Sequence, residues 1–203
     1  MRAVLWCNGN VPSKKLIEEV IGKDSEVFGV DGGADKAKTA GVELAGVLGD
    51  MDSLEESDWD VEIFRIPDQS KNDLSKSIDY LIGLGYEIID IIGVEGGVIE
   101  HFLGNWAALA ECLSGSEIRV HNERSLIERV NPGEKGVSLE LTEGEEFSVF
   151  ALEPCRVTIL GAKWELNNEE MALSTRGLHN QSVGGISVIK ADGVLVVITN
   201  RKL

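Results

Sequence analysis

The chain has 203 residues, 43% hydrophobic and 27% charged, an ordinary balance for a globular protein that can bury one large core or two small ones. A formal net charge of −16 with no basic stripe argues against nucleic acid or an anionic membrane as partner. Three cysteines without CxxC spacing (Cys7, Cys112 and Cys155) suggest neither a disulfide framework nor a zinc site. The N-terminal apolar run is too short for a signal peptide, and no stretch approaches membrane-spanning length, so the expected compartment is the cytoplasm.

Residues 3–7 form a short apolar run that breaks at Asn8-Gly9-Asn10, the pattern of a buried strand and its exit loop. Ser13 opens a helix with Leu16, Ile17, Val20 and Ile21 on one face. A second strand, 27–30, runs into Asp31-Gly32-Gly33-Ala34-Asp35, where the glycines permit close backbone approach or a tight turn. A short helix then leads to the strand Gly46-Val47-Leu48 and to Gly49-Asp50-Met51-Asp52-Ser53. Asp50 and Asp52, two positions apart, can converge on one site. Adjacent carboxylates repel, and the usual remedy is a hard cation such as Mg²⁺; an acidic turn capping the next helix explains these five residues equally well.

A fourth strand, 61–66, stops at Pro67 and is followed by Asp68-Gln69-Ser70-Lys71-Asn72-Asp73. Asn72 or Asp73 caps a helix whose apolar face is Leu74, Ile78, Leu81 and Ile82. The fifth strand, 88–92, is nearly continuously apolar, as in a strand covered on both faces, and exits through glycines to Glu100 and His101. The next helix is expected to turn Leu103, Trp106, Leu109, Ala110 and Leu113 inward. Repeated strand, glycine-rich exit and helix predict a parallel sheet. Asp31, Asp50 with Asp52, Asp68 with Asp73, and Glu100 all follow strand ends, the edge where open α/β sheets bind ligands, and together suggest a metal-assisted phosphate site.

From about Glu123 the pattern becomes short β-type runs at 125–130, 136–141, 146–152, 156–160, 185–189 and 194–198, separated by turn signals. The fold class is therefore α/β: an N-terminal parallel-sheet α/β domain over residues 1–122, followed by a C-terminal all-β sandwich domain over 123–203.

The series DGGAD at 31–35, GDMDS at 49–53, DQSKNDL at 68–74, GGVIEHFLGN at 96–105 and TRGLHNQ at 175–181 resembles the ordered motifs of the thiamin pyrophosphokinase family. The resemblance implies an α/β domain for ATP and Mg²⁺, a β-sandwich for thiamin binding and dimerisation, and a homodimer with thiamin pockets between subunits. It implies transfer of the terminal pyrophosphoryl group of ATP to the thiamin hydroxyl. By the same resemblance Asp50, Asp52 and Asp73 hold the metal, and Asp73 or Glu100 accepts the hydroxyl proton. Asp31, Gly32, Asp68, Gln69, Lys71, His101 and Asn105 belong to the nucleotide side, and Trp164, His179 and Asn180 to the thiamin side. For Trp164, residue type alone favours plain core filling.

The chain departs from the family pattern at Val98, where arginine is usual, at Glu100 for aspartate, Asn72 for threonine and His179 for serine. Losing the arginine removes a bidentate phosphate donor, a role for which Lys71 is a candidate. A non-catalytic nucleotide or thiamin binder and a metal-dependent phosphohydrolase are the alternatives. A P-loop kinase is not one, because GxxxxGK[ST] is absent. Asp50→Asn and Asp52→Asn are each expected to lower turnover while leaving the fold nearly intact, checked by steady-state kinetics alongside circular dichroism.

Overall fold

The structure is a computed structural model that describes residues 1–50 and 61–201, so Asp52 of the GDMDS motif lies outside the described residues. The chain divides into two compact units, Met1–Glu123 and Arg124–Leu203.

In the first unit, β1 (Arg2–Trp6), β2 (Ser25–Val30), β3 (Gly46–Gly49), β4 (Glu62–Arg65), β5 (Ile88–Ile92) and β6 (Glu117–His121) pair in parallel in the order β6-β5-β1-β2-β3-β4. The chain winds outward from β1 to β4, then returns to the far side of β1 for β5 and β6. The direction of winding thus reverses between β1 and β5, the position at which open α/β sheets commonly bind ligands.

Among the described residues four helices connect these strands: α1 (Lys14–Val20), α2 (Gly33–Thr39), α3 (Asp73–Gly83) and α4 (Ile99–Glu111). Ser13 caps α1, its hydroxyl accepting from the Leu16 amide at 3.2 Å, so that Leu16 and Val20 reach the core beside Val4, Trp6 and Ile92. Asn72 caps α3 in the same way, accepting from Ser75 N at 2.8 Å.

The expected inward face of α4 needs correction. Leu109 is buried, but Leu103 and Leu113 are 59% and 54% exposed, as are most of Val98, Ile99 and Phe102. Apolar residues surround this helix on nearly every side, so periodicity alone cannot choose a face. Neighbours choose it: Asn72 Nδ2 donates to Gly104 O at 3.1 Å, and Asp79 Oδ1 accepts from Leu113 N at 2.7 Å, tying α4 to α3.

β5 buries one charge within its apolar run. Asp90 is fully buried and accepts from Arg2 Nε at 2.6 Å, while its other oxygen lies 2.6 Å from His121 Nε2. Burial alone would raise the Asp90 pKa. The hydrogen bonds of His121 and Arg2, with the charge of Arg119, overcome that and hold it below its ordinary value.

The second unit packs two antiparallel layers, β12-β9-β14-β7 and β11-β10-β13-β8. The strands are β7 (Ser125–Val130), β8 (Gly133–Leu141), β9 (Glu146–Ala151), β10 (Cys155–Leu160), β11 (Leu166–Met171), β12 (Asn180–Gln181), β13 (Gly185–Ala191) and β14 (Leu195–Asn200). Phe147, Val149 and Val197 from one layer meet Val157, Ile159 and Ile189 from the other in a shared core. Among the described residues three strands fall outside the runs expected from the sequence. β6 is short and polar at alternate positions, β12 has two residues, and the edge strand β11 buries only its end residues, Leu166 and Met171.

A carboxylate whose folded pKa is depressed contributes stability above its unfolded pKa and loses it as pH falls through the folded value. Asp90→Asn should therefore lower stability by about 3 kcal/mol or more at neutral pH, the cost of breaking a buried charged pair. Urea melts across the acid range should show the gap to wild type closing below the ordinary carboxylate pKa.

Candidate active site

The carboxyl ends of β1, β2, β3 and β5, with the first turns of α3 and α4, share one edge of the first unit. Two clusters form there, one of carboxylates and one of glycine-rich backbone.

The first contains Asp31, Asp50 and Asp73. Asp31 follows β2 with φ of 46°, in the left-handed region that aspartate tolerates better than most residues. Its amide donates to Leu48 O at 2.9 Å, which fixes it beside the end of β3. Burial raises its pKa; a hydrogen bond from the Gly32 backbone opposes this, and the charges of Asp73, Asp50 and Asp35 add to the rise. Asp31 therefore lies in the field of carboxylates from other elements. Gln69 Nε2 lies 3.4 Å from Asp50 Oδ2, so the segment after β4 reaches this cluster.

The cation here is one that the sequence reading missed. Lys76 is 5% exposed, its Nζ 2.8 Å from Asp73 Oδ1 and 3.3 Å from Ile66 O. Its signal was present in the sequence: a lysine three residues after Asp73 on an otherwise inward face. Lys71, the expected phosphate donor, instead binds Asp79 Oδ2 at 2.6 Å and lies 3.5 Å from Glu111 O, bridging α3 to the end of α4. Asp68 is exposed and accepts from Ser70 N at 2.8 Å, a turn contact that lowers its pKa.

The donor set suits a hard cation. Among the described residues, Asp31 Oδ1 and Asp73 Oδ1 are buried oxygens without a hydrogen-bond partner; Lys76 approaches the latter without the alignment of a hydrogen bond. Among the described residues no three His, Cys, Asp or Glu side chains form a ready-made metal cluster.

The second cluster is a pocket of about 140 Å³ at the β1/β5 reversal, lined by Cys7–Gly9, Gly93, Val94, Gly96, Gly97, His101 and Asn105. Four of the lining residues, Gly9, Gly93, Gly96 and Gly97, offer only backbone. Cys7 N donates to Ile92 O, Gly9 N to Gly93 O and Asn10 N to Glu95 O, at 2.9, 2.6 and 2.6 Å, which zips the β1 exit onto the β5 exit. A side chain at Gly9 would collide with the carbonyls of Gly93 and Glu95. Gly32 is the N-cap of α2, and at Gly33 a Cβ would overlap Trp6 O, so the Gly-Gly pair lets α2 start directly over the end of β1. His101 is exposed and Asn105 half-buried at the pocket, whereas Glu100 is exposed in the first turn of α4.

In the second unit Trp164 is not core filling. It is 53% exposed, with Lys163 Nζ 4.6 Å from its ring centroid. Asn180 is buried and occupied with its backbone: Oδ1 accepts from Trp164 N at 3.1 Å and Nδ2 donates to Trp164 O at 2.8 Å. His179, at φ of 54°, is exposed with Nδ1 3.3 Å from Glu146 Oε2. A larger depression of about 520 Å³ lies beside Arg156, whose guanidinium is already engaged by Asn168 and Glu170.

An open parallel sheet with carboxylates and a glycine-lined pocket at its reversal defines an α/β protein of the class in which ligands bind at the carboxyl edge of the sheet. More narrowly, the chain belongs to the thiamin pyrophosphokinase family, whose members are ATP-dependent diphosphotransferases: the model of the thiamin pyrophosphokinase catalytic domain matches residues 17–121. A thiamine pyrophosphokinase of Bacillus subtilis is 27% identical over 202 residues, spanning 91% of this chain and 93% of its own. The fold is shared with a solved Bacillus subtilis thiamine pyrophosphokinase (TM-score 0.79, 23% identity, all of both chains). It is shared also with the Candida albicans thiamin pyrophosphokinase (TM-score 0.74, 13% identity, 99% of this chain and 90% of that one).

Lys76→Met is expected to lower kcat by about tenfold to a hundredfold, the cost of losing a charge-stabilising donor, while Lys71→Met stays within about threefold. Steady-state rates on variants of matched folded content check this.

Proposed function

We propose that the protein transfers the pyrophosphoryl group of ATP to thiamin, giving thiamin diphosphate and AMP. The observation that carries this reading is the carboxylate cluster of Asp31, Asp50 and Asp73 on the same sheet edge as the backbone pocket, in a chain of this family. In this reading the thiamin hydroxyl oxygen bonds to the β-phosphorus, the bond from that phosphorus to the oxygen bridging it to the α-phosphorus breaks, and AMP leaves with that oxygen.

Asp50, Asp52 and Asp73 are the residues that would hold Mg²⁺, which when bound supplies charge neutralisation at the phosphates. The chain's own residues do the positioning. Gln69 orients Asp50, and Lys76 holds Asp73 while adding positive charge beneath the phosphates. The pocket at the β1/β5 reversal takes part of the nucleotide, with His101 and Asn105 as its side-chain donors and Asp31, Gly32 and Asp68 nearby on the same edge. Asp73 or Glu100 takes the hydroxyl proton. Lys71 acts at a distance, by fixing α4 against α3.

On the acceptor side the exposed Trp164 ring offers a stacking face for thiamin, His179 a polar contact, and Asn180 fixes the Trp164 backbone. The enzyme works as a cytoplasmic homodimer in this reading. Among the described residues, no helix is long and apolar enough to cross a membrane.

Incubation with ATP, Mg²⁺ and thiamin should yield AMP and thiamin diphosphate in equal amounts, resolved by chromatography, with neither formed when thiamin is omitted or the metal chelated. Orthophosphate in place of AMP, or thiamin bound without either product, would overturn the assignment.

A further inference from the structure

We propose that Lys36 is a positioning residue for nucleotide binding, acting through the backbone of the β1 exit loop. This rests on the reading that the pocket at the β1/β5 reversal takes the nucleotide.

Lys36 lies on α2, three residues after Gly33 and so on the same helix face. Because α2 begins directly against Trp6 and Cys7, that face looks onto the end of β1. From there Lys36 Nζ donates to Asn8 O at 2.7 Å and to Gly9 O at 2.5 Å. Neither carbonyl belongs to a regular strand, and both residues line the pocket. Lys36 itself does not line it.

The consequence follows from the local chain. Asn8-Gly9-Asn10 has a glycine at its centre and exposed asparagines on either side, so its conformation depends on the bonds its backbone makes. On one side Gly9 N and Asn10 N are held by Gly93 O and Glu95 O. On the other side the Lys36 ammonium gathers the carbonyls of Asn8 and Gly9, so the loop is held from both directions. Charge-assisted bonds to two carbonyls from one ammonium are stronger than neutral bonds, and methionine, of similar length, makes neither. The loop is then ordered before ligand arrives, which lowers the entropy cost of binding. A group that only pre-orders a binding wall changes affinity for that ligand, leaving the acceptor and the chemical step nearly untouched.

The test compares wild type, Lys36→Met and Lys36→Arg. In Lys36→Met the amides of Gly9 and Asn10 should exchange hydrogen at least about tenfold faster, while those of the β1 core keep wild-type protection. Its calorimetric Kd for ATP and its KM for ATP should rise by about five- to tenfold, with KM for thiamin and kcat within about twofold; Lys36→Arg, which keeps the charge and the donors, should recover most of the ATP affinity. If wild type binds ATP and Lys36→Met binds it equally well, the positioning role is overturned while the nucleotide pocket stands. Equal loss in both KM values and in kcat, in proportion to lost fold, would also overturn it. Wild type that binds no ATP overturns the pocket assignment and this inference together.

Discussion

Mutual repulsion among carboxylates at one edge of a parallel sheet is the constraint on which the rest of the site depends. Asp31, Asp50 and Asp73 come from three successive connections, and Asp31 feels the field of the other two in partly dehydrated surroundings. Such an arrangement costs stability unless positive charge is brought to it. The fold supplies one such charge permanently, Lys76 from the buried face of α3. A divalent cation would supply the rest. A protein of net charge −16 otherwise repels ATP, so the same neutralisation governs both the stability of the apo site and its attraction for ligand.

Close packing of backbone on backbone governs the other half of the edge. Winding reverses between β1 and β5, and the two exit loops at the reversal join by hydrogen bonds instead of splaying apart. That junction requires a glycine at position 9, just as the seating of α2 over β1 requires one at position 33. The two requirements are linked, because α2 carries the lysine that holds the outer side of the β1 loop. Small residues at the strand exits thus decide where charged residues one helical turn later can reach.

Departures from the family's usual motifs acquire physical roles in this setting. Asn72 caps α3 and also reaches Gly104 O, so its longer amide joins two helices while performing the capping expected of a hydroxyl. Lys71, expected on the nucleotide side, is engaged by Asp79. Val98 at the N-cap of α4 forms no side-chain cap and is exposed beside Ile99 and Phe102, leaving an apolar rim at the helix start where an arginine is usual.

Much was legible in the sequence. Alternating apolar runs and glycine-rich exits specified a parallel α/β unit followed by β-structure, because strand burial and turn geometry impose local patterns that a linear chain displays. Asp31, Asp50 and Asp73 stood out for the same reason, as acidic residues just past strands. Contacts between residues distant in sequence, or with several partners in reach, were not legible. The face of α4 was chosen by Asn72 and Asp79 on another helix, since an all-round apolar sequence carries no preferred direction. Lys71 and Lys76 look alike as letters, yet one turns outward to Asp79 and the other inward to Asp73. Trp164 has the composition of a core residue but is exposed, its backbone held by a buried asparagine sixteen residues later. The sequence by itself determined most of the strands, the helices of the first unit and which carboxylates follow them, since these depend on near neighbours. Only the tertiary structure decided which charges meet, because the energy of a charge depends on distance and burial in three dimensions.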